Sequence, residues 1–248
     1  MSTIVEKYQV RELYAELRSR LADDLLFGGA SLEQMDAYLA QLPDTVQELF
    51  AHTLQGDAEA YRYGGVLLMA ELVHRFAAGQ VFNYDGPLTV HDSQVLFYGG
   101  DLHVVGDLVL GDQSIVVVAG DLDLDGSFVG GSTDYSMLGV SGAMTAYNIM
   151  TPGEMIVGQR LAVRDLVYLY RNSCSSLASS IRCRLLVEND CFNTFSKINA
   201  DAQIDELLTE ERPERLRDVA GLVGLGPLDS VERLEAELRQ RLTVRGPG

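Results

Sequence analysis

The sequence predicts an α+β fold: a central β-solenoid, a β-helix-like repeat over residues 80–198, between an N-terminal helical domain (1–79) and C-terminal helices (199–248) that cap the repeat. Three observations carry this expectation. Apolar residues recur at three-and-four spacing at both ends of the chain, the pattern turns to strict alternation after Gly79, and a short Gly-Asp-Leu unit repeats within the alternating part.

The first helix is expected over residues 3–27. Val10, Leu13, Tyr14, Leu17, Leu21, Leu25 and Leu26 fall on one helical face, and Gly28-Gly29 ends it. Ser31, with Gln34 three positions on, forms a capping-box pattern that opens a second helix through Leu42. Pro43 starts a third with Val46, Leu49, Phe50 and Leu54 on its apolar face. A fourth runs from Asp57 to Ala78, weakened by Gly64-Gly65 at about 1 kcal/mol per glycine.

Short strands follow. They begin at Leu88, Val95, Leu102, Leu108, Ile115, Leu122 and Ser127, each closed by Gly, Asp or Ser. None is long enough to stand alone. The units at Gly100-Asp101, Gly106-Asp107, Gly111-Asp112 and Gly120-Asp121 form a family with weaker copies at Gly142 and Gly158, an irregular repeat close to one turn of a β-helix. From Ala200 the pattern reads as helical again: Ile204, Leu207 and Leu208 first, then Pro213 to Val223, then Asp229 to Leu242 with a stripe of Val231, Leu234, Leu238 and Leu242. In this reading the helices at both ends cover strand edges that would otherwise be sticky.

Composition narrows the function classes. Nineteen Lys and Arg against 36 Asp and Glu give a net charge of -17, which argues against nucleic acid and anionic membrane as partners and suits a basic macromolecule. The N-terminus has no basic region followed by an apolar core, and no apolar run approaches a membrane span, so a cytoplasmic protein is expected. Cys174, Cys183 and Cys191 lack the spacing of a disulfide framework or zinc site and read as buried thiols in strands. His52, His74, His91 and His103 show no metal-ligand spacing. No nucleophile elbow or phosphate-binding loop is present, so neither catalytic residue, metal nor cofactor is expected. Asp121, Asp123 and Asp125 alternate with Leu122 and Leu124, which puts all three on the outer side of one strand, with no basic or aromatic neighbour expected. An enzyme acting on sugars along the solenoid would need a close carboxylate pair there.

Charge position says more than charge total. Between Arg75 and Arg160 there is no lysine or arginine, while ten acidic residues occur. From Arg160 to Lys197 six basic residues face three acidic ones. Because a solenoid lays sequence out along its axis, early turns should be acidic and later ones mildly basic. Tyr84, Phe97, Tyr98, Tyr135 and Tyr147 lie among the acidic turns as candidate aromatic anchors.

The Gly-Asp-Leu strands resemble the β-solenoid of the bactofilin-like, polymer-forming cytoskeletal proteins over residues 99 to about 126, fading through 165. That resemblance implies a self-assembling scaffold, in which acidic early turns of one copy meet basic later turns of another as a homo-oligomer. In size, acidity and lack of catalytic groups the chain also resembles immunity proteins of type VI secretion and polymorphic toxin systems. This second resemblance implies binding to a cognate toxin, foremost a basic nuclease, through Asp101, Asp107, Asp112, Asp121, Asp123, Asp125 and Asp134, with Tyr135 as aromatic anchor.

Overall fold

In a computed structural model of the chain, the described residues are 15–16, 19, 80–132, 136–170, 176–189, 193–205 and 213–244. The four expected N-terminal helices lie outside them, apart from 15–16 and 19, which are helical. The central part is a parallel β-solenoid of about six turns. The first turn is β1 (Gln80–Asp85), β2 (Leu88–Val90) and β3 (Val95–Tyr98). The second is β4 (Gly100–Val105), β5 (Leu108–Leu110) and β6 (Ile115–Val118), and the third is β7 (Leu122–Leu124), β8 (Phe128–Val129) and β9 (Met137–Val140). Then come β10 (Met144–Ala146), β11 (Ile149–Thr151), β12 (Glu154–Val163), β13 (Leu166–Tyr170), β14 (Ser176–Asn189), β15 (Thr194–Phe195) and β16 (Ile198–Asp205). The long strands β12 and β16 run on through one corner and contribute to two faces each, and β14 runs through two corners and contributes to all three.

Every strand pair is parallel and joins one turn to the next. Three faces result. Face A stacks β1, β4, β7, β10 and parts of β12, β14 and β16; face B begins with β2, β5 and β8; face C begins with β3, β6 and β9. Alternation sends every second side chain inward, so the register makes columns. Phe82, Leu102, Leu122, Met144, Leu161 and Ile181 stack behind face A. Leu88, Leu108, Phe128, Ile149, Val167 and Leu186 stack behind face B, and Val118, Val140, Val157 and Ala178 behind face C. These columns meet in one core, where Leu102, Leu122, Phe128 and Met144 are at most 1% exposed. Each such side chain contributes about 1.5–3 kcal/mol.

Faces B and C are also covered on the outside. The outward row of face B is apolar, from Val109 through Val129, Met150, Tyr168 and Val187 to Ile204. Onto it pack α1 (Pro213–Leu222) and α2 (Val231–Val244), through Leu216, Val219, Leu234, Leu238 and Leu242. Pro213 opens α1, Gly224 at φ +71° follows its end, and the Ser230 hydroxyl accepts the Arg233 N–H at the start of α2. Arg239 fixes the helix to the solenoid by donating to the carbonyls of Gly130 and Gly131 and to the Tyr170 hydroxyl, each at 2.8 Å. On face C the outward residues Ile115, Val117, Met137 and Ile156 are buried as well.

Two expectations are corrected here. Residues 200–205 form the end of β16, paired in register with β14, rather than the start of a helix. The C-terminal helices lie along a lateral face instead of capping the end of the stack, because the apolar stripe of α2 matches the apolar outer row of face B.

The Gly-Asp unit has a structural reason. Asp101 Oδ1 accepts the Asp121 N–H at 2.9 Å, and Asp121 Oδ1 accepts the Ala143 N–H at 2.8 Å. A second ladder runs from Asp92 to Asp112 N–H and from Asp112 to Ser132 N–H, and a third starts with Asp107 and the Ser127 N–H. Each carboxylate thus stands over the glycine that precedes the donor. A Cβ on Gly120 would fall against Asp101 Oδ1 and 2.7 Å from the Gly100 carbonyl carbon. Substituting Gly120→Ala is therefore expected to lower unfolding free energy by about 1–3 kcal/mol. Urea unfolding with an unchanged midpoint would refute this account of the glycines.

Candidate functional site

Face A alone presents a charged outer row to solvent among the described faces. Its three outward columns follow the strand register. The first runs Asp101, Asp121, Ala143, Arg160, Ser180. The second runs His103, Asp123, Thr145, Ala162, Arg182, Asn199. The third carries Asp125 in the third turn, Tyr147 in the fourth, Arg164 in the fifth and Arg184 in the sixth. The carboxylates Asp101, Asp121, Asp123 and Asp125 lie before the fourth turn, which is uncharged, and arginines stand in all three columns in the fifth and sixth turns. Ala162 in the second column and Asp201 after Arg184 in the third are the exceptions to a basic or polar far end.

The acidic end has its own order. Asp101, Asp121, Asp123 and Asp125 are exposed, while Leu122 and Leu124 between them are 1% and 4% exposed and point inward. His103 sits between two of the carboxylates, with Nδ1 3.2 Å from Asp123 Oδ2 and Nε2 4.0 Å from Asp125 Oδ2. The Thr145 hydroxyl donates to Asp123 Oδ1. A basic neighbour was not expected beside these aspartates; the parallel register supplies one from the preceding turn. At the other end, Arg164 lies 5.1 Å from the centre of the Tyr147 ring, a cation–π contact. Arg184 pairs with Asp165 and donates to the Leu222 carbonyl. No acidic group among the described residues pairs with Arg160 or Arg182.

The expected binding residues divide. Asp101, Asp121, Asp123 and Asp125 come together on face A. Asp112 lies at the corner between faces B and C, and Asp107 is buried at the corner between A and B. Asp134 and Tyr135 lie outside the described residues. Of the other aromatic candidates, Tyr98 is buried against Phe82, which with the nearby Tyr84 pushes its hydroxyl up to about 12, whereas Tyr84 and Tyr147 are exposed. Cys183 is a buried free thiol raised to about 11 by burial and by Asp201 and Glu188; Cys174 and Cys191 fall outside the described residues. Among the described residues no group of three or more His, Cys, Asp and Glu is placed to hold a metal ion, and no helix is long and apolar enough to cross a membrane.

Sequence reading did not single out His103, Arg160, Arg164 or Arg182 as members of this face. Counting positions from Gly100 could have found them only with the register in hand, since the stacking interval changes along the chain.

Beside face A, a cleft of about 620 Å³ lies between the A–B corner and the C-terminal helices, bordered by Tyr147, Arg164, Asp165, Arg184 and Arg241. Its floor is a buried polar ladder. Asp107 accepts the Ser127 N–H at 2.7 Å, the Asn148 amide donates to the Ser127 hydroxyl, and Asn148 Oδ1 accepts the Leu166 N–H. Comparison of the chain with protein-family models, with curated proteins and with solved structures finds no match in any of the three.

Burial raises the Asp107 carboxyl above its ordinary 3.8, and the Ser127 N–H offsets only part of that. A carboxyl whose folded-state pKa exceeds its unfolded value costs stability when ionised. That cost is present above the folded pKa and is gone once the pH falls below 3.8. Asp107→Asn keeps an oxygen for the Ser127 N–H, so its melting temperature relative to wild type should be highest at neutral pH and fall towards pH 4. A difference that stays constant with pH would show that the carboxylate is not desolvated.

Proposed function

We propose that this protein is a non-catalytic binding protein that holds a basic partner protein against the acidic end of face A, and that it serves as the immunity protein of a secreted toxin, foremost a nuclease. One observation carries the reading: four exposed carboxylates, Asp101, Asp121, Asp123 and Asp125, share one face in a stretch that has no lysine or arginine from residue 76 to 159. Adjacent turns are about 4.8 Å apart, less than the Debye length of about 8 Å in physiological salt, so these charges act together on an approaching cation. A nuclease cleft is built to receive phosphates at comparable spacing, and a rigid acidic surface competes for the same groups. Long-range attraction then raises the association rate, and the rigidity of the stack means little ordering is required on binding.

The ladders decide which residues can test this. Asp101 and Asp121 hold turns together, so reversing them confounds binding with folding. Asp123 and Asp125 accept no main-chain N–H from the next turn among the described residues. In a mixture with the proposed cognate toxin, wild-type protein should form a complex whose association slows roughly tenfold or more on raising salt. The Asp123→Lys, Asp125→Lys double variant should lose toxin inhibition while keeping its circular dichroism and melting temperature. Full protection by that variant would remove the proposal.

A further inference from the structure

The structure assigns face A a second occupant: another copy of the same chain, packed face to face about a two-fold axis that runs parallel to the strands through β10. The inference rests on the order of charge along the face and does not require a toxin partner. A patch that meets its own copy must be complementary to itself under the rotation. Face A meets that condition in one orientation only. An axis along the strands reverses the order of turns and leaves the columns in place, so the third turn of one copy lies over the fifth turn of the other. Asp121 then faces Arg160 of the second copy, since both belong to the first column. Asp125 faces Arg164, since both belong to the third. An axis along the solenoid would instead keep each turn over itself and exchange the outer columns, setting Asp121 against Asp125 and Asp123 against Asp123, and like charges oppose it.

What lies at the pivot fits the same arrangement. The fourth turn presents Ala143, Thr145 and Tyr147, with no charge to bury at the centre of the contact. Tyr147 is 38% exposed and its ring already carries Arg164 on one side, which makes it a preformed aromatic anchor near the axis. Arg160 lacks an acidic partner among the described residues of its own chain, so its cation is available to Asp121 of the second copy. Faces B and C are covered, which leaves A as the sheet surface open to a partner.

Size sets the strength. Six strands at about 4.8 Å spacing and six residues per strand at about 3.3 Å give a footprint of roughly 600 Å² per copy, at the small end of specific interfaces. The dimer is thus weak and reversible, and it uses the carboxylates that the proposed partner would need. Dimerisation and partner binding exclude each other.

The test uses the full chain in sedimentation equilibrium across a wide concentration range. Wild type should associate to a dimer and no further, with the dissociation constant rising at least roughly tenfold between low salt and about 0.5 M salt. Asp125→Lys and Arg164→Glu touch none of the turn-to-turn ladders, and each alone should weaken the dimer tenfold or more. An equimolar mixture of the two should recover wild-type affinity, because on one side of the axis the introduced Lys meets the introduced Glu, and on the other the unchanged Arg164 meets the unchanged Asp125. Arg164→Glu should leave inhibition of the proposed toxin intact, which separates failure of the dimer from failure of the binding role. A wild type that stays monomeric at millimolar concentration, assemblies that grow beyond two, or a mixture that fails to recover while both variants keep wild-type melting temperatures would overturn the inference.

Discussion

Among the described residues no strand of this solenoid pairs within its own turn, so the backbone of each turn is satisfied by the turns before and after it. That constraint governs the rest. Inward positions must be apolar in every turn, because a polar residue at Leu122 would sit between Leu102 and Met144 with nothing to bond to. Corners must let two main chains approach closely, and the N–H groups that strand pairing leaves over there need acceptors. The Gly-Asp unit answers both needs, with the glycine giving room and the aspartate of the previous turn supplying the oxygen. A motif that looks like surface charge is thus first a device for stacking, and only some of the aspartates remain for anything else.

Much of the fold was legible because the early turns obey simple rules. Between Leu88 and Val129 the strands are short and each is followed within two residues by Gly or Asp, so their positions follow from spacing and punctuation. Legibility fades where the rules lapse. β12 and β14 pass through corners without a break, and β14 alone spans Ser176–Asn189. Ile204, Leu207 and Leu208 fit helical spacing equally well, yet Ile204 belongs to β16 because Val187 of the previous turn pairs with it. A long-range partner outweighed local periodicity.

The candidate face was half legible for a related reason. Alternation alone places Asp121, Asp123 and Asp125 on one side of β7, and they are there. Which turn a residue stacks on depends on loop lengths that differ from turn to turn. A sequence pattern cannot place Arg160 in line with Asp121, or Asp107 at a buried corner, without the register. His103 shows the limit most clearly: its partners are in the next strand of the stack, twenty positions on at Asp123.

The two kinds of aspartate also differ in what holds them where they are. Two unit charges about 5 Å apart in water repel by roughly 0.8 kcal/mol, before screening by salt. At Asp101 and Asp121 a charge-assisted hydrogen bond to the next turn offsets such repulsion. Asp123 and Asp125 have only the His103 ring and the Thr145 hydroxyl, and nothing in the stacking of β4, β7 and β10 requires a carboxylate at either position. Threonine fills the equivalent outward site one turn later at Thr145, and alanine the next at Ala162, with the strands still in register. The fold therefore accounts for the first pair of aspartates and not for the second. It is on the second pair, with the arginines two turns on in the same face, that the proposed binding roles rest.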